Sequence, residues 1–286
     1  MATKSDDIDP VAARESAARL FEIAFPLFLV DAVRRAHPIA SRQFQLLMEG
    51  GSAFAPGLEE DDELVVICSA WIDLSQPMLM CLPHVHGRHF SMTLFDTAGE
   101  PFAAMGARTG DDTGLGVALV GPRWTGQVRH GVRAIRATSE ACWAVSRVHA
   151  HSLLDRPEAV TIARRLLLAP LDAEVRRDET LVVELGPPFA ACLRQTADMS
   201  PDVFFHRLDA VFERAPIAFQ QAHRRELVEH KARIGGPGPA EEWGEALTDA
   251  LTRGCTAGLS RIRAAAGADR ELPDEGWRTL GASAVE

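Results

Sequence analysis

The spacing of apolar residues along this chain changes period twice. From Pro10 to His37, Leu20, Ile23, Ala24, Pro26, Leu27, Val30 and Val33 follow a helical rhythm. Pro26 lies inside that stretch, which predicts two helical pieces or a kink. From Leu64 the rhythm is lost. LVVICSAWI (Leu64 to Ile72) is an almost unbroken apolar run, the signature of a strand covered on both faces, and MLMCLP (Met78 to Pro83) is a second. In FSMTLFD, Phe90, Met92 and Leu94 alternate with Ser91 and Thr93, the period of a half-buried strand. Gly116 to Val120, Val132 to Ala137 and Ala141 to Val148 extend the series, punctuated by Gly99-Glu100-Pro101, Gly110-Asp111-Asp112 and Gly121-Pro122. Short strands with no helical pattern between them predict an antiparallel sheet or sandwich confined to about Leu64 to Val148.

After His151 the helical period returns. Asp155 is placed to cap a helix with Pro157 in its first turn and Val160, Ala163, Leu166 and Leu167 on one face. A further helix starts at Ser200-Pro201 and buries Phe204, Phe205, Leu208, Val211 and Phe212. Ile234 to Pro239 (IGGPGP) reads as a loop. Beyond it, Trp243, Leu247, Leu251, Leu259 and Ile262 form a helical stripe. The expected fold class is α+β, an antiparallel β-sandwich with flanking N-terminal and C-terminal helices. The expected division is a sandwich with its N-terminal helix over residues 11–175 and a helical extension over 176–286. The stripe either folds back on the sandwich or pairs with a second copy in a homodimer through Trp243 and Leu251.

Composition narrows the function. Among 286 residues, 30 Lys and Arg stand against 40 Asp and Glu, a formal net charge of −10. That lacks the basic footprint of a nucleic-acid binder or of an anionic-membrane binder. The acidic run Glu59 to Glu63 reads as a solvated loop. Near Leu20 the apolar stretch is short and interrupted by Glu22 and Asp31, so neither a signal peptide nor a membrane span is expected. Five scattered cysteines without a CxxC pair argue against a disulfide framework and for a reduced, cytoplasmic protein. Tyrosine is absent, which removes phenolic chemistry.

Several segments, in order, resemble a bacterial family, the domain of unknown function 1254. They are SAWIDL (Ser69 to Leu74), MLMCLP, GRHFSMTLFD (Gly87 to Asp96), GART (Gly106 to Thr109), VGPRWTG (Val120 to Gly126), CWAVSRV (Cys142 to Val148) and LLDRPEAV. The resemblance runs from about Ala18 to Leu171 and implies a β-sandwich of jelly-roll character with helices around it. It implies no established reaction. Many members of the family carry a second domain, of unknown function 1214, whose pattern does not follow here. Before SAW the family has a polar Asn-Asn-Asp-Thr-x-Tyr-Ser segment, where this chain has the apolar Glu63 to Cys68, ELVVIC. Arg123 stands where the family commonly has Gly.

Candidate chemistry rests on few residues. His84, His86 and His89 in PHVHGRH, with His149 and His151, form His-x-His pairs that suit zinc, iron or copper. The glutamate that a cupin-like site needs soon after its histidines is missing, so solvent-facing histidines are the expectation. Arg88, Arg108 and Arg147 occupy positions matched to the family at strand ends or turns and suit a small-molecule anion. The competing role is internal pairing with Asp73 and Asp96. Trp71, Trp124 and Trp143 either line an apolar pocket or serve the core. Cys81 beside His84 lies in an apolar strand, where a thiol is inert. No GxSxG, P-loop, HExxH or GxGxxG pattern occurs. The sequence therefore predicts a binding or scaffold protein with no cofactor. The alternative is a metal-assisted hydrolase or oxygenase built on the histidine pairs.

Overall fold

A computed structural model describes residues 8–36, 44–47, 64–106, 116–173, 189–236 and 243–268. Arg108, the run Glu59 to Glu63 and the turn at Gly110 lie outside these residues. The described chain divides into two compact units, one formed by residues 27–196 with 214–219, the other by 1–26, 197–213 and 220–286. The boundaries fall after Pro26, Thr196, Glu213 and Phe219. The first residues of the N-terminal helix group with the C-terminal helices, far along the chain.

The larger unit holds two sheets. One is five-stranded, in the order β1 (Gln45–Leu47), β2 (Val65–Asp73), β8 (Ala141–His149), β4 (Phe90–Phe95), β5 (Pro101–Gly106). The other is four-stranded, in the order β7 (Arg133–Arg136), β6 (Gly116–Val120), β3 (Met78–Cys81), β9 (Leu167–Pro170). Among the described strands every pairing is antiparallel except β6 with β7, which run parallel. The chain from β6 to β7 returns through the loop at Gly121 to His130, and Ala137 N–H closes on the Val120 carbonyl at 2.9 Å.

Alternation decides what each face meets. Val66, Cys68, Ala70 and Ile72 of β2, with Phe90, Met92 and Leu94 of β4, point inward onto Met78, Met80, Val117, Leu119 and Leu168 of the second sheet. The opposite face of the five-stranded sheet is covered in turn. Val65, Ile67, Trp71, Trp143 and Val145 pack with Leu29, Val30, Val33 and Cys192 from two helices. That is why LVVICSAWI is apolar on both faces, whereas β4, away from the helical cover, keeps the buried–half-buried alternation expected of it.

Two strand boundaries were illegible in the sequence. The helix after Asp155, α2 (Arg156–Ala163), stops one turn early, and Leu167 begins β9 instead of continuing its apolar face. Pairing with Met78–Cys81 satisfies the Leu167–Pro170 backbone, and the strand lies at a sheet edge, where Pro170 is tolerated. Gln45–Leu47 likewise joins β2 from outside the predicted strand region.

The N-terminal helix α1 (Pro10–Ala36) is continuous through Pro26, not two pieces. An interior proline costs about 3 kcal/mol. Full burial of a large apolar side chain returns roughly 1.5–3 kcal/mol, and Phe25, Leu27 and Phe28 are all buried beside it. The helical unit adds α4 (Pro201–Phe212), most of α5 (Ile217–Arg233) and α6 (Glu245–Ala268); α3 (Phe189–Ala197) belongs to the sandwich unit. Leu247 and Leu251 are buried, and Trp243 packs edge-on against Phe205 of α4. Leu247 and Leu251 are thus taken up within the helical unit, whereas Trp243, Leu259 and Ile262 are half-buried.

Close approach of α1 and α6 depends on small residues. A Cβ at Gly254 would sit 2.5 Å from Ala17 Cβ and 2.6 Å from the Arg14 carbonyl, and one at Gly258 would sit 2.6 Å from the Ala18 carbonyl. Around this seam Arg261 grips Glu15 with two hydrogen bonds of 2.8 Å, and Arg19 bridges to Glu226. Gly254→Val should lower stability by about 1–3 kcal/mol through overpacking. Chemical denaturation checks this, and a midpoint equal to wild type would show that the helices need no such contact.

Candidate functional site

The outer face of the five-stranded sheet brings several of the candidate residues into one pattern. Cross-strand partners share a face. Starting at the end where β8 finishes, His149 stands opposite Val65 and beside His89, whose carbonyl accepts its N–H at 3.0 Å. The next row is Ile67, Arg147, Ser91 and Gly106; then come Ser69, Val145, Thr93 and Ala104; then Trp71, Trp143 and Phe95.

These rows differ in what covers them. Trp71 and Trp143 stack with ring centroids 5.9 Å apart, and Trp143 Nε1 donates to Ser69 Oγ at 3.3 Å. Both rings are buried beneath α1 and α3, so they serve packing. Toward β4 and β5 the covering side chains give out. Ser91 and Thr93 are half-buried and Ala104 is exposed, while Gly106, at the strand end, is buried. Gly106 cannot carry a side chain: at φ +141° a Cβ would lie 2.2 Å from the Phe90 carbonyl. The result is a shallow polar shelf at the margin of the helix-covered area.

Arg147 stands where these two regions meet. Among the described residues its guanidinium makes no hydrogen bond or ion pair, and burial pulls its pKa below the ordinary arginine value with no acid to offset the cost. Ser91 and Thr93 also spend no side-chain hydrogen bond among the described residues.

Arg88 is the opposite case. Its side chain is only 7% exposed and forms a two-pronged bridge to Asp155, Nη1 to Oδ2 at 2.8 Å and Nη2 to Oδ1 at 2.9 Å. Nη1 also donates to the His149 carbonyl at 3.1 Å. Asp155 further accepts the His151 N–H at 2.8 Å, so its carboxylate is not the side-chain cap of α2. Arg88 thus pairs internally, with Asp155 and neither Asp73 nor Asp96. The acids considered as partners are engaged elsewhere. Asp73 accepts the Ser75 N–H at 2.9 Å at the far end of β2, opposite Ala141. Six residues along β8 put that end about 20 Å from Arg147. Asp96 is buried and binds the Ala98 and Glu100 N–H groups and the Thr138 hydroxyl, while burial raises its pKa.

Trp124 belongs to another loop. Its indole fills the space over Gly126, and its carbonyl, with those of Gly121 and Pro122, accepts from Arg136 Nη1. Arg123 pairs with Glu140 at 2.7 Å on the surface.

One histidine pair follows its spacing and the other does not. His84 and His86 meet with centroids 4.2 Å apart, whereas His149 meets His89 at 5.1 Å, and His151 lies beyond the strand. Among the described residues no three His, Cys, Asp or Glu side chains gather in a way that could hold a metal ion. All five cysteines are free, and burial pushes the Cys68, Cys142 and Cys255 thiols up to about 12. Among the described residues no helix is long and apolar enough to cross a membrane.

With this geometry the comparison with known proteins is specific. The family model described as protein of unknown function DUF1254 matches residues 63–170, which run from β2 to β9. The likeness covers these residues, less than half of the chain. It begins well after Ala18, and it contains the Arg147 shelf and the Arg88–Asp155 bridge. No curated protein matches the chain. The VPA0106 protein of Vibrio parahaemolyticus, of solved structure, is 16% identical with a TM-score of 0.60, covering 91% of this chain and 60% of that one. The likeness shows a shared α+β fold, and this chain spans 60% of the Vibrio protein's length. An uncharacterized protein from Burkholderia cenocepacia is 10% identical with a TM-score of 0.29, covering 86% of this chain and 55% of its own.

The bridge gives the protein an acid-sensitive element. Arg88 and the His151 N–H hold the Asp155 carboxyl below the usual aspartate range, so its folded pKa lies under its unfolded one. Its stabilisation is complete above the ordinary value near 4 and is lost as pH falls through the lower folded value. Asp96, raised by burial, works in the other sense and favours folding as pH drops. Asp155→Asn should therefore destabilise at pH 7 and flatten the loss of melting temperature below about pH 4. An acid slope unchanged from wild type would place that sensitivity elsewhere.

Proposed function

We propose that this protein is a ligand-binding β-sandwich that takes a small anion at Arg147. One contrast supports the reading. Two arginines of the same sheet end are largely withdrawn from water; Arg88 has its carboxylate supplied by the chain, and Arg147 has none among the described residues. An uncompensated guanidinium is costly to keep, and replacing poorly compensated buried charge with apolar groups often stabilises a protein. Retaining that charge is understandable if a ligand supplies the missing one. Trp71 and Asp73 then shape the fold at the far end of the sheet, Trp124 belongs to the Arg136-held loop, and only Arg147 of the original candidates contacts the anion. Free cysteines throughout favour a reducing, cytoplasmic setting.

The test is thermal stability with a panel of carboxylates and phosphates. Arg147→Met should raise the ligand-free stability by about 1 kcal/mol or more and abolish stabilisation by the anion that wild type binds. A ligand at 100 times its Kd contributes about 2.7 kcal/mol, enough to be read directly. A variant that keeps the full anion response would remove Arg147 from the site.

The second reading, a metal-assisted hydrolase or oxygenase, draws on the His84–His86 and His89–His149 ring pairs. It requires stoichiometric zinc, iron or manganese in purified protein, lost in a His84→Ala/His86→Ala variant. Metal at far below one equivalent counts against it.

A further inference from the structure

The shelf beside Arg147 carries more information than its charge. Ser91 is the direct cross-strand neighbour of Arg147, and Thr93 lies two residues farther along the same strand and face. Both hydroxyls are half-buried and unspent among the described residues, and each can donate and accept. Successive same-face positions on a strand are separated by roughly 7 Å. A ligand satisfying all three groups has an anionic end at Arg147 and hydroxyl groups extending along Ser91 and Thr93. Ala104, opposite Thr93, is exposed and leaves room above the floor for it to lie across the strands.

Charge arithmetic selects the anionic end. Arg147 is a single cation in a chain of formal net charge −10, without a helix N-terminus or lysine in its rows of the sheet. One guanidinium matches the planar, singly charged carboxylate with two parallel hydrogen bonds. A phosphate dianion would bring an extra negative charge into a partly desolvated place with nothing to meet it. The floor also lacks the apolar lining a fatty acid would need, since Ser91, Thr93, Ala104 and Gly106 form it.

We infer that the shelf of β4 and β5 beside Arg147 binds a hydroxylated monocarboxylate of the sugar-acid class, the guanidinium taking the carboxylate and Ser91 and Thr93 reading the hydroxyls. This rests on Arg147 as the anion anchor and adds the specificity elements. Ala104 sets the height of the ligand, and Ser91 and Thr93 separate it from a plain carboxylate.

The experiment is isothermal titration of the full chain with D-glucuronate, hexanoate, glucose and inorganic phosphate. Glucuronate should bind more tightly than hexanoate by about tenfold or more, two hydrogen bonds being worth roughly 3- to 10-fold each. Glucose and phosphate should bind at least tenfold more weakly than glucuronate. Ser91→Ala and Thr93→Val, both conservative on a half-buried strand, should bring the glucuronate-to-hexanoate ratio toward one while leaving hexanoate affinity unchanged. Ala104→Leu should weaken glucuronate binding with the fold intact by circular dichroism. Equal binding of glucuronate and hexanoate by wild type overturns the hydroxyl reading and leaves the anion anchor standing. Phosphate binding tighter than either overturns the carboxylate assignment. Failure of every anion, with Arg147→Met indistinguishable from wild type, overturns both.

Discussion

The nine-residue antiparallel pairing of β2 with β8 is the constraint on which the sandwich depends. Val65 to Asp73 matches His149 to Ala141 without a bulge. That register sends Cys68, Ala70, Cys142 and Ala144 inward and Ile67, Trp71, Trp143 and Val145 outward. A slip of one residue would turn every one of these side chains to the wrong layer. Because both faces of this pair are buried, the register is defended twice, by the facing sheet and by the helical cover. Small inward residues at its centre let the bulky Met78, Met80 and Met92 fill the core, while the stacked indoles on the outer face anchor α1 and α3.

The same register decides which arginine is free. Arg88 lies before β4 and reaches the Asp155 turn, tying the exit of β8 to the start of α2. Arg147 is locked within β8 on the outer face, where its neighbours are Ile67 and Ser91 and no acid stands opposite. Two arginines of the same formal charge thus acquire different roles from position alone. The bridge stiffens one end of the sheet, and the shelf begins beside it, where the helical cover stops.

The apolar stretch Val65 to Cys68 has a definite place in the two layers. Val65 and Ile67 belong to the outer-face layer, and Val66 and Cys68 to the inner core. Polar residues at those positions would be set in the covered half of the sheet, next to Arg147 through the Ile67 pairing. In this chain Val65 to Cys68 are apolar and buried, so the polar residue directly beside Arg147 in the sheet is Ser91 of β4.

Periodicity in the sequence determined the principal strands β2, β3, β4, β6, β7 and β8 and the helices α1, α4 and α6, because each carries its own burial pattern in consecutive residues. It also marked Ser91 and Thr93 as the polar positions of an alternating strand, while Arg88 and Arg147 stood out only as positions matched to the resembled family. Only the tertiary structure could show that Leu167 to Pro170 is an edge strand, that α1 runs unbroken through Pro26, and that Leu247 and Leu251 are buried inside the helical unit. Each of these turns on partners far away in the chain. Cross-strand register likewise placed His149 against His89 and Arg147 against Ser91, and gave Asp155 to Arg88. A sequence specifies which side chains share a strand face; which strand lies alongside, and therefore which charge is met and which is left open, is a property of the assembled sheet.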